Sequence, residues 1–262
     1  YNLYNNSITA LGVHPIDSYV YVNTWGGTYK LPPPGTVASA DITAPAVGTI
    51  SINSGASYTN STTASLSLSA TDSVGITGHY LSTSSTAPLS GATGWTTLTS
   101  TTSYSSTVSY ALSAGDAAKT VYAWYKDSAG NVSTASQDSI TLDTTAPALT
   151  ITSPTANAAY STTTSTLNLS GTSSDTGSGL ANIIWTSDKG GGGSATGSTS
   201  WNISGISLNS GTNVITVTAK DNANNTNTDT ITVTYAVSTP GTIALSASTY
   251  STAENSTTVT IS

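Results

Sequence analysis

Two five-residue phrases open two long, similar stretches of this 262-residue chain. Asp41-Ile42-Thr43-Ala44-Pro45 is repeated as Asp143-Thr144-Thr145-Ala146-Pro147, 102 residues later. Each stretch also ends alike. Lys126-Asp127-Ser128-Ala129-Gly130-Asn131 corresponds to Lys220-Asp221-Asn222-Ala223-Asn224-Asn225, an offset of 94, and Asp138-Ser139-Ile140-Thr141-Leu142 to Asp229-Thr230-Ile231-Thr232-Val233, an offset of 91. A period near a hundred is too long for a solenoid repeat and suits whole domains in tandem. The predicted boundaries are 1–40 for an N-terminal strand segment with a Pro-rich linker, 41–142 and 143–237 for the two repeats, and 238–262 for a distinct tail.

The residues between these landmarks favour strands. Charged residues make up 6% of the chain, against about 25% in an average domain, while 36% are hydrophobic. Low charge with this much Thr, Val, Ile and Tyr is a β composition and lacks the high net charge of a disordered chain. Alternation and turn signals place strands at 47–53, 64–71, 77–84, 95–100, 105–112, 119–126 and 132–142 in the first repeat. In the second they fall at 148–152, 165–172, 180–187, 199–204, 206–208, 212–220 and 227–236. Seven short strands per repeat predict an all-β fold of two antiparallel sandwiches. Inward registers are set by Val121, Ala123 and Tyr125, with Ile215, Val217 and Ala219 as their counterparts. Leu66 and Leu68 correspond in the same way to Leu167 and Leu169. Trp185 is the expected buried tryptophan of the second sandwich, with Tyr80 as its counterpart.

The two repeats resemble bacterial immunoglobulin-like surface modules that open with D-x-T-A-P and close with K-D-x-A-G-N before an alternating strand. The resemblance covers roughly 41–236 and implies tandem immunoglobulin-like sandwiches. The second copy has Asn224 where the first has Gly130, and Asn tolerates the left-handed conformation that such a turn needs. Two shorter likenesses flank them. Residues 8–31 resemble the last strands of a propeller blade, and 240–262 resemble the start of a Calx-β domain. Both imply incomplete sheets with unpaired edges. Pro32-Pro33-Pro34-Gly35 reads as a stiff spacer.

A net charge of −7 argues against nucleic acid, which requires a basic patch. No apolar run approaches the roughly 18 residues of a membrane span. The chain contains no Cys and does not begin with Met. With its Ser/Thr-rich, Lys-poor surface it is read as a processed or excised part of a longer secreted, bacterial-type product, extracellular or at the cell surface.

Catalytic material is scarce. His14 and His79 lie in different segments, no Ser is marked as activated, and Gly190–Gly193 lacks the Lys and helix of a phosphate loop. The expectation is a non-enzyme. No cofactor is certain from the sequence, and calcium is the candidate. Immunoglobulin topology gathers Asp41, Asp72, Asp127 and Asn131 at one end of the first sandwich, and Asp143, Asp175, Asp221 and Asn225 at the same end of the second. Hard oxygen donors from several loops suit Ca2+, which would stiffen the linkers; the same Asp residues also make good turn caps. Tyr122 and Trp124 are placed on the outward register of their strand. Together with Trp95 they are candidates for a shielded sheet face, a subunit contact or a sugar-stacking platform. The stranded ends predict self-association by strand donation into a head-to-tail filament. The rival expectation is an adhesive or carbohydrate-binding spacer that meets surface glycans.

Overall fold

The computed structural model describes residues 8–13, 20–24, 27–31 and 40–238. The Calx-β-like tail, the polyproline spacer and His14 lie outside the described residues. The chain forms two compact units, residues 1–144 and 145–262. No helix among the described residues is long and apolar enough to cross a membrane.

The first unit begins with an antiparallel meander of β1 (Ile8–Val13), β2 (Val20–Thr24) and β3 (Gly27–Leu31). These strands lie in the segment set apart in the sequence as an N-terminal strand segment. The first sandwich follows with β4 (Thr49–Ile52), β5 (Tyr58–Thr59), β6 (Thr63–Ser82), β7 (Thr96–Ala111), β8 (Ala117–Asp127) and β9 (Ser136–Leu142). Two pairs of expected strands, 64–71 with 77–84 and 95–100 with 105–112, are each continuous. The bend inside β6 has a local cause. Asp72 Oδ2 accepts the Val74 and Gly75 amides at 2.9 and 2.6 Å, and Gly75 takes φ of 132°. The β6–β7 register breaks between Thr71 and Ile76. The first half of β6 pairs with β4, and the second half pairs with β8. One sheet thus folds over on itself and encloses a core that includes Ile52, Leu66, Ile76, Val121, Tyr125 and Ile140.

The second sandwich has two separate sheets. One is ordered β10 (Ala148–Ser153), β12 (Thr166–Ser174), β16 (Ser200–Ser207), β15 (Thr196–Gly197). The other is ordered β11 (Ala159–Thr162), β18 (Thr226–Tyr235), β17 (Gly211–Asp221), β13 (Leu180–Ser187), β14 (Gly192–Ser194). In both sandwiches the opening segment changes sides. β4 and β10 pair antiparallel with β6 and β12, and then β5 and β11 run parallel beside the closing strands β9 and β18. All other pairings among the described strands are antiparallel. These are immunoglobulin-like β-sandwiches.

The predicted inward sets are buried: Val121, Ala123 and Tyr125 in β8, and Ile215, Val217 and Ala219 in β17. Leu66, Leu68, Leu167 and Leu169 join them. The tryptophan expectation needs correction. Trp201 of β16, not Trp185, is the fully buried one, and its indole lies against Gly171, where an added Cβ would come within 2.3 Å of the ring. Trp185 is half-buried at the margin of that core. Its β13 strand is flanked by the hairpin partner β14, whose Gly192 and Gly193 have no side chain to press the ring inward.

Candidate functional site

The repeated motifs meet at one end of each sandwich. In the first, Asp127 accepts the Asn131 backbone amide on Oδ1 at 2.9 Å and the Asn131 side-chain amide on Oδ2 at 2.7 Å. The same Asn131 amide donates to the Asp41 carbonyl at 3.1 Å. In the second, Asp221 holds Asn225 at 2.8 Å on both oxygens, and the Asn225 side chain donates to the Thr145 carbonyl at 3.3 Å. The K-D-x-A-x-N turn is thus a staple. Asp locks the turn through its own Asn, and the Asn fastens the D-x-T-A-P peptide to the sandwich it leads into. Gly130 and Asn224 sit in the staple turns with φ of 90° and 76°, so Asn fills the left-handed position as its chemistry allows.

In the second sandwich a further Asp joins this end. Asp175 Oδ2 accepts the Gly179 amide at 2.6 Å, and the loop is pinned to the staple by Asn222, whose side chain donates to the Ser178 and Gly179 carbonyls at 2.9 and 3.0 Å. Ser178 in turn accepts the Ala223 amide at 3.0 Å. The result is that carboxylate oxygens of Asp175 and Asp221 lie within 4.8 Å of each other. Asp221 is 0% exposed.

The matching residues of the first sandwich are arranged differently. Asp72 spends Oδ2 on the bend of β6, and Asp127 has both oxygens on Asn131. Asp41 accepts the Thr43 amide on Oδ1 at 3.0 Å, and its Oδ2 is buried without a hydrogen-bonding partner. The turn-capping role foreseen for these residues is therefore real in both sandwiches, and the close approach of Asp175 to Asp221 occurs in the second.

The outward Tyr/Trp pair needs correction. Trp124 does point away from the core set, but it is only 1% exposed. The segment after β6 folds back over that sheet face and brings Trp95 with it. Trp95 Nε1 donates to the Leu89 carbonyl at 3.0 Å, and Lys126 Nζ donates to the Ser90 carbonyl at 2.8 Å while lying 4.8 Å from the Trp95 ring centroid. Tyr80 sits edge-on between Trp95 and Trp124, with centroids 5.5 and 6.1 Å away, and Tyr122 stacks on Trp124 at 5.9 Å. The face is a small second core. Strand alternation tells which side a residue faces, and says nothing of a loop that later covers that side.

Two acidic residues of structural importance were not singled out as site residues. Asp138 Oδ2 accepts the Ile52 amide and Asp229 Oδ2 accepts the Ile151 amide, each at 2.7 Å. Both amides lie where the opening strand leaves its first partner. The signal was present in the repeated D-[ST]-I-T closing phrase, but a carboxylate in a strand reads as a solvent-facing residue. His79 and Tyr104 form another buried polar pair, with His79 Nδ1 3.1 Å from the Tyr104 hydroxyl. Burial lowers the His79 pKa below its usual value. Burial also raises the Tyr125 hydroxyl, with the neighbouring Tyr104 adding to the shift.

Residues 147–237, the second sandwich, match the family described as Glucodextranase, domain B. Among solved structures, the fibronectin(III)-like modules of Clostridium thermocellum CbhA align over 77% of this chain and 99% of theirs, at 15% identity and a TM-score of 0.43. The D00-D0 domain of Intimin aligns over 71% and 99%, at 13% identity and a TM-score of 0.32. A structure concerned with host cell surface retention of a 1.5-MDa bacterial ice-binding adhesin aligns over 84% of this chain and 73% of its own, at 19% identity and a TM-score of 0.35. No curated protein matches.

Proposed function

We propose that this chain is a non-catalytic structural or adhesive segment of an extracellular protein, and that its second sandwich binds a calcium ion. The observation that carries the cation is the approach of Asp175 and Asp221, whose carboxylate oxygens lie within 4.8 Å of each other, with Asp221 fully buried. Two like charges so close favour a cation between them. All-oxygen donors from a loop and a strand end are the chemistry Ca2+ takes. The ion's role would be to fasten the lead-in peptide where Asn225 already holds Thr145. Calorimetry with CaCl2 on the chelator-treated chain should show binding that Asp175→Asn abolishes. Heating scans should show Ca2+ raising one unfolding transition by the mass-action increment RT ln(1 + [Ca2+]/Kd). Absence of both effects at millimolar Ca2+ would remove the ion from this reading and leave the Asp residues as turn caps.

Self-association belongs to the same reading. Residues 240–262 carry two strand-like phrases in sequence, and their donation to a neighbouring copy would build a head-to-tail filament. Deleting 240–262 should then abolish polymers in electron micrographs and leave both sandwiches folded; polymers that persist would refute donation by that tail. The glycan-binding alternative has lost support at its proposed platform, because Trp124 is buried and Trp95 has its indole N–H and ring face occupied.

A further inference from the structure

The first sandwich carries an unusual edge. β7 runs for 16 residues, Thr96–Ala111, where a typical strand has about 5–6. It pairs with β6 alone, and no described strand lies on its other side. Folded proteins blunt such edges with Lys, Pro, bulges or short strands. β7 has the sequence TTLTSTTSYSSTVSYA, with no charge and no proline. Between Thr71 and Ile76 the extra residues are on β6, and between Ile76 and Gly78 they are on β7, where Thr101 and Thr97 are the partners; from Ser103 to Ala111 the register is unbroken.

The direction of the free groups follows from the ladder. Leu112 donates its amide to the Thr62 carbonyl, toward β6. At Ser103 the amide and carbonyl instead bond the Thr101 hydroxyl, at 3.3 and 2.8 Å. Alternation in an antiparallel pair then points the N–H and C=O of Ser105, Thr107 and Ser109 away from β6. All three residues are exposed. The Thr101 side chain caps the edge at one end of this run, so the open part is the half nearest Ala111.

The second sandwich provides an internal comparison. Its corresponding strand, β16, has β15 paired along its outer side, with Thr196 opposite Asn202 and Gly197 opposite Trp201. The same edge is covered in one sandwich and bare in the other.

We propose that the β7 edge is a self-association surface, on which β7 of a second copy pairs antiparallel about a twofold axis through Thr107. That register sets Ser105 opposite Ser109 and Tyr104 opposite Tyr110, and each of Ser105, Thr107 and Ser109 exchanges its N–H and C=O with the second copy. Side-chain parity is kept. The Ser/Thr face continues as a Ser/Thr face, and the half-buried Val108 and Tyr110 gain neighbours on the core face. An uncharged strand meets its own copy without the like-charge repulsion that a Lys-bearing edge would impose. The contact is isologous and closes as a dimer. It does not depend on the tail, and so stands or falls apart from strand donation.

Sedimentation velocity of the full chain over a range of concentrations tests it. The wild type is expected to show a reversible monomer–dimer equilibrium. Thr107→Pro removes one outward N–H, a position where an edge strand tolerates proline, and Thr107→Lys adds a charge to the edge. Each should raise the dimer dissociation constant about tenfold or more, with circular dichroism and Tm unchanged. Thr150→Lys, on the exposed edge strand β10 of the other sandwich, and deletion of 240–262 should leave the dimer intact. A wild type that stays monomeric throughout overturns the proposal, as does a dimer that survives both Thr107 variants or is lost on tail deletion. Amide exchange provides a reading that needs no variant: the Ser105, Thr107 and Ser109 amides should exchange more slowly at high than at low chain concentration, and equal rates would refute the pairing.

Discussion

Asp229→Ala should destabilise the second sandwich by about 2–3 kcal/mol, because a hydrogen bond to a charged group contributes about 1.5–3 kcal/mol and its loss strands a buried donor. The geometry sets that figure. Asp229 Oδ2 accepts the Ile151 amide at 2.7 Å, while its Oδ1 takes the adjacent Thr230 amide at 2.8 Å. Ile151 is buried, and its amide lies where β10 is about to leave β12 for the other sheet. Alanine removes the acceptor and leaves that amide facing protein. For a sandwich of this size 1 kcal/mol is worth about 4–8 °C, so one of the two unfolding transitions should fall by roughly 10–20 °C and the other should not move. Asp229→Asn retains an acceptor oxygen without the charge, and should lose about half as much. Asp188→Ala is the comparison. Its carboxylate accepts the Val214 amide at the same 2.7 Å, but in solvent, so its loss should be much the smaller. Urea titrations of the full chain with tryptophan fluorescence would measure all three. If Asp229→Ala costs no more than Asp188→Ala, burial is not what gives the clamp its value, and the argument fails.

Other expectations follow from the packing. Gly171→Ala would set a Cβ 2.1 Å from the Thr150 carbonyl and 2.3 Å from the Trp201 ring, so the second transition should fall by about 2–3 kcal/mol in the same titrations, in line with other overpacked cores. Trp124→Ala should cost the first sandwich about 3–5 kcal/mol, as large aromatic truncations in cores do; a loss under about 1 kcal/mol would return Trp124 to the surface. His79 has a folded pKa below its unfolded one, so the unfolded chain binds the extra proton. Stability of the first sandwich should therefore be full above about pH 6.5 and fall as pH drops below it, and His79→Gln should flatten that slope in thermal melts taken between about pH 5 and 8.

The positions of the closing strands and their core residues were readable because alternation is a property of local sequence. β8 and β17 bury alternate residues, and the pattern Val-x-Ala-x-Tyr shows it without any knowledge of partners. The staples were half readable. The repeated Lys-Asp and Asn positions marked a shared turn, but that Asn131 and Asn225 reach back to the lead-in peptide depends on contacts 80–90 residues apart in sequence. The burial of Trp124 was hidden for the same reason: its cover is Trp95 and the Leu89–Ser90 segment, which arrive from a loop with no periodic pattern. The continuity of β6 was hidden by Asp72-Ser73-Val74-Gly75, which reads as a turn between strands and proves to be a bend within one.

The parallel seams between opening and closing strands have a mechanical consequence. In each sandwich the chain arrives on one side of the seam and departs on the other, so tension along the chain slides the two strands past each other and loads every bond in the seam together. The first sandwich has Tyr58 and Thr59 alongside Thr141 and Leu142, and the second has Ala159 to Thr162 alongside Thr232 to Tyr235. Twice the length of seam shares the pull in the second sandwich. Under a steady load the first is the one to give way, and its lengthening would spare the domain behind it.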